Sequence, residues 1–265
     1  IDPGTGQRGL VQGIATKEPA FGLPALWVPE DAREQAQMAG YTVVDAGSAI
    51  ATHLSELIKR HGSELLGRQE VQTLLDEVGK SHPKLVEELI PTLVPLGTVV
   101  RVLGNLLKEG IPIRDLRSIL EAISDHATTT KDAEVLTEYA RQALARTITK
   151  QYLAPDGSLQ VITLDPRLDR SLAEQAVALP PGAMLNLDPT LSHKLLTGLK
   201  QAAERVAARG QQPIVLCSQV VRRHLRRHSD RQLHAVPVMG LNEVDSFVRL
   251  QSLDTVRIDF ELAQP

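Results

Sequence analysis

The sequence predicts a mixed fold of the α+β and α/β classes with several subdomains: a small α/β unit, a central helical domain and a C-terminal α/β sandwich. Three observations support this prediction. Glycine and proline punctuate residues 1–29, helical apolar spacing continues from 67 to about 153, and strands alternate with helices from 157 onward. We place the subdomain boundaries at residues 1–65, 66–150 and 151–265.

The composition is that of a globular protein: 42% of the 265 residues are hydrophobic and 23% are charged. The net charge of −3 argues against binding nucleic acid or a membrane surface in bulk. Cys217 is the only cysteine, which excludes an intramolecular disulfide and a cysteine-based zinc site. No stretch approaches the roughly 18 uninterrupted apolar residues of a membrane span. Because the chain begins at Ile1 without a signal-peptide pattern, we expect a piece of a longer protein.

In the first unit, the glycine and proline content of residues 1–29 predicts loops and short strands. A helix should follow, with acidic residues in its first turn and Gly40 at its end. The run Tyr-Thr-Val-Val at residues 41–44 predicts a short strand. Ser48 is expected to cap a second helix. One face of that helix would carry Ile50, Leu54, Leu57 and Ile58.

Residues 67–153 are predicted to be almost wholly helical, because four apolar stripes have helical spacing. The stripes are Val71, Leu74, Leu75 and Val78; Val99, Val102, Leu103, Leu106 and Leu107; Leu116, Ile119, Leu120 and Ile123; and Leu136, Tyr139, Ala140 and Leu144. Helices should end or restart at Pro83, Pro91, Pro95 and Pro112. Asp132 is expected to cap the last long helix.

In the last third of the chain, a strand is predicted at residues 159–164. Asp165 and Asp188 each precede a proline and should each cap a helix, the second of which ends at Gly210. Further strands are expected at residues 213–217, 233–238 and 247–262, with a helix carrying Val220, Val221 and Leu225 after the first of them.

Two patterns could support catalysis, and each has a simpler structural interpretation. Gly4-Thr-Gly-Gln-Arg-Gly9 matches the dinucleotide-binding fingerprint, but no strand precedes it in the sequence and a helix after it is disfavoured. Cys217 lies between a strand and a helix, where a reactive thiolate or a small buried hydrophobe would fit. Because no paired His and Asp accompany it, we favour the hydrophobe. We predict no catalytic residue and no cofactor.

The run Arg-Arg-His-Leu-Arg-Arg-His at residues 222–228 has the strongest local charge in the chain. His224 and His228 are spaced to share one helix face, but the flanking arginines oppose a bound cation, so we predict no metal site. A solvated helix face is the simplest interpretation of the arginines. The alternative is a contact for an acidic protein partner or a neighbouring subunit. No interleaved aromatic residues support nucleic-acid binding.

Residues 19–27 contain Phe21 and the only tryptophan, Trp27, in a chain that is otherwise poor in aromatic residues. Large aromatic side chains contribute strongly to cores and to interfaces. We expect Trp27 to lie in a core. For Phe21, between glycine and proline and close to Glu18, a core position and an exposed hydrophobic dimple both remain open.

Many segments, in order, resemble the FlhA family of type III export-gate proteins. They are Ile1-Asp-Pro-Gly4, Glu18-Pro-Ala-Phe-Gly-Leu-Pro-Ala-Leu-Trp27, Gly40-Tyr-Thr-Val-Val44, Ala51-Thr-His-Leu54, Leu66-Gly-Arg-Gln-Glu70, Pro83-Lys-Leu-Val-Glu-Glu88, Val102-Leu-Gly-Asn-Leu-Leu107, Ile113-Arg-Asp-Leu-Arg117 and Leu136-Thr-Glu-Tyr139. The resemblance implies a flagellar inner-membrane export protein whose cytoplasmic region has four subdomains and forms a nonameric ring. This chain would contain the remainder of the first two subdomains and the whole of the last two.

The resemblance also implies a docking function for chaperone–cargo complexes and for components of the export ATPase complex. Chaperones of the family bind a hydrophobic dimple, and its three positions match Glu18, Phe21 and Thr52. The family pattern has Asp in the first place, so Glu18 is a departure that keeps the charge and lengthens the side chain.

Three alternatives remain: an export gate of a virulence type III system (an injectisome), an enzyme that uses residues 151–265, and a nucleic-acid-binding fragment that uses residues 222–227. An open apolar groove around Phe21 would favour docking, whereas a deep polar pocket with convergent His, Asp or Cys would favour catalysis.

Overall fold

The structure is a computed structural model, and it describes residues 1–2, 4, 10–179, 183 and 185–258. Within these residues the chain is a mixed α/β protein, which confirms the predicted fold class. Its contacts divide it into two compact units, Ile1–Leu65 and Leu66–Pro265. The finer division of the second unit at about residue 150 stays a prediction.

The first unit contains the strands β1 (Ile14–Lys17) and β2 (Pro24–Trp27) and the helices α1 (Arg33–Met38) and α2 (Ala46–Leu65). The two strands form an antiparallel hairpin in which Ile14 lies opposite Trp27. A 3₁₀ turn at Glu30–Ala32 leads into α1. Gly40 follows α1 with φ at 85°, a left-handed conformation that glycine adopts without strain, and this confirms the predicted helix end.

Two local expectations for this unit are wrong. Residues 41–44 form no strand. Thr42 and Ile1 exchange two main-chain hydrogen bonds at 3.0 and 2.9 Å, but one such pair does not make a ladder. Ser48 does not cap α2. Its main-chain nitrogen and its Oγ both donate to the carboxylate of Asp45, at 2.8 and 2.7 Å, so Asp45 is the capping residue.

The apolar face of α2 that the helical spacing predicted is largely exposed in the described residues. Ile50, Leu54 and Ile58 are each more than half exposed, and α2 has no buried residue. The small core of the unit consists of Val11, Ala36 and Ala39, with Leu26, Val28, Tyr41 and Val43 packed against it. Helical spacing predicts which side chains share a face, but burial also requires a packing partner.

The second unit begins with six helices and one π-helical turn. They are α3 (Arg68–Ser81), α4 (Pro83–Glu87), the π-helical turn Glu88–Leu93, α5 (Leu96–Lys108), α6 (Leu116–His126), α7 (Ala133–Ala143) and α8 (Ala145–Gln151). The carboxylate of Asp132 accepts a hydrogen bond from the main-chain nitrogen of Glu134 at 2.9 Å, which confirms the predicted cap of α7.

Four strands and three helices follow: β3 (Leu159–Leu164), α9 (Pro166–Val177), α10 (Pro189–Ala207), β4 (Val215–Cys217), α11 (Gln219–Ser229), β5 (Val238–Gly240) and β6 (Leu250–Val256). The strands are parallel and lie in the order β5-β4-β3-β6. Asp165 and Asp188 cap α9 and α10 as predicted. α10 ends three residues before Gly210, which takes a positive φ of 73°.

Two strand predictions are wrong in position. Of residues 233–238, only Val238 belongs to a strand, because the residues before it form local turns. Leu233 donates a main-chain hydrogen bond to Ser229 at 2.8 Å, and Val236 donates one to Leu233 at 3.0 Å. Of residues 247–262, only 250–256 form a strand, and positions from 259 onward lie outside the described residues.

The parallel sheet lies between two hydrophobic clusters. On one face, Leu159, Val161 and Met239 belong to the cluster built by the helices α3–α8. On the other face, Ile162 and Val215 pack with α9–α11. The alternation of side chains along each strand distributes neighbouring residues between the two clusters. The helices of the predicted helical part and those of the predicted α/β part therefore pack on opposite faces of one sheet.

Membrane-span criteria of length and hydropathy are met by no single helix in the described part of the chain. They are met by one bent pair, Pro83–Leu93 with Leu96–Lys108, at an angle of 108°.

Candidate functional site

The loop between β1 and β2 is held by Glu18. Its carboxylate accepts hydrogen bonds from the main-chain nitrogens of Ala20 at 2.8 Å and Phe21 at 2.7 Å, one on each oxygen. The main chain of Glu18 also accepts from Gly22 and donates to Leu23, both at 2.8 Å. The Glu18 side chain is only 5% exposed. Four hydrogen bonds from one residue therefore close this loop.

Glu18 is a buried carboxylate, and its two oxygens both accept hydrogen bonds from the loop's own backbone. The geometry supports a positioning role, in which Glu18 sets the direction of the next residues. The left-handed turn at Gly22, with φ at 73°, completes the loop.

Phe21 is presented to solvent by this loop, and its side chain is 64% exposed. Leu23, two residues later, is also exposed. Exposed aromatic side chains on braced loops are unfavourable for solubility and lose little conformational freedom when a partner covers them. Of the two interpretations left open by the sequence, the exposed one is correct.

Thr52 lies on the exposed surface of α2, between the exposed apolar residues Ile50 and Leu54. Its hydroxyl donates to the main-chain oxygen of Ser48 at 2.8 Å, which leaves the hydroxyl oxygen free to accept. The structure joins Glu18 and Phe21 by a hydrogen bond. Among the described residues, the hydrogen bond of Thr52 goes to its own helix and not to either of them.

A groove of about 400 Å³ lies within the first unit. Its lining includes apolar side chains from β2 and from residues 41–44, among them Trp27 and Val43. Glu18 also lines it, directly before the exposed loop, as does Ala49, one helical turn before Thr52. Phe21 and Thr52 are close in sequence to lining residues, but they do not line the groove themselves.

Trp27 lines this groove with 56% of its surface exposed, so the expectation of a core position is wrong. Sequence reasoning also missed Val28 and Val43 as groove residues. Both belong to short apolar runs beside proline or glycine. Such runs indicate a segment near a turn, but they do not indicate which side chains line a groove.

The arginine run at residues 222–228 is only partly a solvated face, because Arg222 is buried in an ionic cluster. Its guanidinium pairs with Glu138, through Nε to Oε2 at 2.6 Å and through Nη2 to Oε1, and with Glu109, through Nη1 to Oε2 at 2.7 Å. Arg141 pairs with Glu243 through Nε at 2.7 Å and Nη2 at 2.5 Å, and also with Glu109 at 3.0 Å. The cluster connects α5 and α7 with α11.

Opposite effects act on the carboxylates of this cluster. Burial alone would raise the pKa of Glu109, but the charges of Arg222 and Arg141 lower that pKa to about 2. Burial raises the pKa of Glu138 above its ordinary value in spite of Arg222. Glu109 contacts both guanidiniums, whereas Glu138 contacts one, and this difference accounts for the two directions.

The candidates for chemistry do not come together into a catalytic site. Cys217 is buried, burial raises the pKa of its thiol, and its sulfur lies 3.7 Å from the main-chain oxygen of Met239. His228 accepts or donates a hydrogen bond with Ser192 at 2.8 Å. Within the described residues, no cluster of His, Cys, Asp and Glu could hold a metal ion. Residues 5–9 of the glycine pattern lie outside the described part.

The comparisons with known proteins agree on one family. The family model described as the FHIPEP family matches residues 1–249. This chain belongs to the FHIPEP family. It is 39% identical over 254 residues to the flagellar biosynthesis protein FlhA of Bacillus subtilis, covering 96% of this chain and 38% of that protein. It is 41% identical over 256 residues to FlhA of Escherichia coli, covering 97% and 36%.

Solved structures of other proteins show the same fold. The Chlamydia pneumoniae CdsV protein matches with a TM-score of 0.83 and 30% identity over 94% of this chain and 71% of that one. A complex of CdsV and CdsO matches at 0.78 and 30%, covering 88% and 68%. Nonameric EPEC SctV-C matches at 0.75 and 25%, covering 96% and 76%.

These relationships confirm the resemblance found in the sequence. The relatives that the chain matches are flagellar biosynthesis proteins, which favours the export-gate interpretation over an enzyme in residues 151–265. The chain spans well under half the length of the FlhA proteins that it matches.

Proposed function

We propose that this chain is a docking platform of a flagellar type III export gate, on the cytoplasmic face of the bacterial inner membrane, and that it binds chaperone–cargo complexes. The observation that carries the proposal is Phe21, an exposed aromatic residue on a loop that Glu18 braces from inside. Thr52 would supply a hydroxyl acceptor on α2.

The flagellar assignment is favoured over the injectisome alternative by sequence identity. The two FlhA proteins are 39% and 41% identical to this chain, whereas the virulence relatives CdsV and SctV-C are 30% and 25% identical. Because the virulence proteins share the fold, the fold itself does not separate the two systems.

The size of the surface suits exchangeable binding. Covering Phe21 and its apolar neighbours would bury a few hundred Å² of surface, and at about 25 cal/mol per Å² this contributes several kcal/mol before the cost of association. After the cost of association this contact alone gives weak binding, so the expected micromolar affinity, roughly −8 kcal/mol, requires further contacts with the chaperone–cargo complex. Such affinity allows a chaperone to deliver its cargo and leave.

Replacing Phe21 by alanine should weaken chaperone binding at least about tenfold, a loss of roughly 1.4 kcal/mol, because the aromatic anchor is removed. The stability of the fold should stay nearly unchanged, since the side chain is already exposed. Isothermal titration calorimetry with purified flagellar chaperone–cargo complexes measures the affinity.

Phe247→Ala is the matched control for this measurement, because Phe247 is 85% exposed and belongs to the second unit. It should bind the complexes like the unaltered chain. Equal affinities for the unaltered chain and Phe21→Ala would show that the dimple is assigned to the wrong surface.

Replacing Glu18 by glutamine should destabilise the loop by about 1–3 kcal/mol, because the amide group places a donor against one of two buried main-chain donors. Chaperone affinity should fall with it, as Phe21 loses its fixed direction. Urea unfolding and calorimetry measure the two effects. Glu18→Asp, which keeps the carboxylate, should retain more of both than Glu18→Gln does. If glutamine and aspartate variants behave alike, the carboxylate does not position Phe21.

We also propose a nonameric ring for the full-length protein and binding of export ATPase components. Support comes from two relatives: SctV-C of EPEC, which is nonameric, and CdsV, whose structure with CdsO is known. Nucleic acid is not among the proposed partners, since the net charge is −3.

A further inference from the structure

A second cleft, of about 260 Å³, lies in the second unit among α5, α7 and α11. We name it the arginine cleft. The lining residues that matter here are Lys108, Glu134, Glu138, Arg223, Arg226 and Arg227. It contains arginines of the run at residues 222–228. This run lies in the second unit, outside the proposed docking surface for chaperones on the first unit.

Most cations of the arginine cleft already have carboxylate partners. The pairs are Arg222 with Glu109 and Glu138, Arg226 with Asp230 at 2.9 Å, and Arg227 with Glu134 at 3.3 Å. Within the described residues, Arg223 and Lys108 form no ion pair. Nε of Arg223 donates to Nε2 of His224 at 3.3 Å. Burial and the charges of Arg223 and Arg227 lower the pKa of His224, which favours the neutral ring that accepts this hydrogen bond.

An arginine that is half-buried and lacks a carboxylate keeps most of its donors available. Arg222 and Glu138 beside it are fixed by the buried ionic cluster, so the cleft is held in place. Val220, which is one helical turn before Arg223, is also exposed on α11. The exposed face of α11 therefore offers a hydrophobic contact beside Arg223, and Lys108 at the end of α5 lines the same cleft.

We propose that the arginine cleft is a docking site for an acidic segment of a protein partner, in which a Glu or Asp carboxylate pairs with Arg223 and Lys108. The planar guanidinium of Arg223 matches a carboxylate in a bidentate geometry. Apolar residues of the same segment would cover Val220. This site lies wholly in the second unit, and the proposal does not depend on the docking function of Phe21.

The mixed charges of the lining favour an isolated carboxylate over a polyanion. Glu134 and Glu138 line the same cleft as Arg223. A nucleic acid, with its regular row of phosphates, would bring several negative charges against these carboxylates. A free anion would leave the contact with Val220 unused. A protein segment with spaced acidic side chains would bring fewer negative charges against Glu134 and Glu138. Its apolar residues would also cover Val220.

The test uses the whole chain and a helical peptide, acetylated and amidated, that carries Glu and Leu along one face. Nuclear magnetic resonance titration should shift the main-chain signals at the end of α5 and along α11. Arg223→Gln should weaken this binding roughly tenfold or more, as expected for a lost charge-assisted hydrogen bond. Lys108→Gln, at an exposed position, should weaken it without affecting the fold.

Three controls test whether the cleft binds an acidic protein segment or another kind of ligand. Arg170→Gln, an exposed arginine on α9, should leave peptide binding unchanged. A peptide with Gln in place of each Glu should fail to shift the signals. Equal binding of that peptide, or unchanged affinity in Arg223→Gln and Lys108→Gln, would overturn the proposal. So would inorganic phosphate or a DNA duplex that binds the cleft more tightly than the acidic peptide does.

Discussion

Replacing Arg141 by alanine is expected to lower the free energy of unfolding by about 3–5 kcal/mol, because the buried carboxylate of Glu243 loses both hydrogen bonds to Arg141 and keeps only a longer contact, at 3.6 Å, with Arg222. Arg141 is 2% exposed and Glu243 is 1% exposed. Two hydrogen bonds, at 2.7 and 2.5 Å, join them across 102 residues of sequence. Urea denaturation, followed by circular dichroism, measures the loss.

Arg146→Ala is the matched control. Arg146 pairs with Asp245 at 3.4 Å, but its side chain is 82% exposed. Removal of such a surface pair should cost less than about 1 kcal/mol. A similar loss in both variants would mean that the burial of the Arg141 pair does not determine its energetic contribution. Replacing Arg141 and Glu243 together by methionine should recover part of the stability, since the carboxylate of Glu243 is then removed and Arg222 still pairs with Glu109 and Glu138.

Local chain signals predicted a large part of the fold. Asp132, Asp165 and Asp188 begin helices where the sequence placed them, and β3 has the predicted bounds. These features depend on a few neighbouring residues: a side-chain acceptor, a proline at the first helical position, or a run of alternating apolar residues. Such signals do not require knowledge of the partner element.

The failures concern features that depend on distant residues. Residues 41–44 have a strand-like composition, but among the described residues their only strand-like pairing is that of Thr42 with Ile1. The apolar stripe of α2 has correct helical spacing and is exposed. Arg222 was expected on a solvated face, and three carboxylates from elsewhere in the chain make its burial favourable. In each case the neighbours, and not the residue itself, determine the environment.

The candidate site came from the resemblance alone, and its docking role stays a prediction. The resemblance identified Glu18, Phe21 and Thr52, and the exposure of Phe21 follows from its position in a tight loop between strands. The role of Glu18 could not be predicted, because the hydrogen bonds that it accepts depend on the turn geometry of residues 20–22. Trp27 shows the reverse error, since its size suggested a core position that β2 does not provide.

Leu75→Ala is expected to destabilise the second unit by about 2–5 kcal/mol, because the variant loses apolar contacts and leaves a cavity in the helical core. Leu75 is 1% exposed and packs in the cluster that α3–α8 share with one face of the sheet. Its neighbour Leu74 belongs to the same predicted stripe but is 36% exposed. Leu74→Ala should therefore cost less than about 1 kcal/mol, since fewer contacts are lost. Thermal and urea unfolding of both variants measure the difference. Equal losses would place the two leucines in similar environments and would contradict the orientation of α3, on which the position of the whole helical layer against the sheet depends.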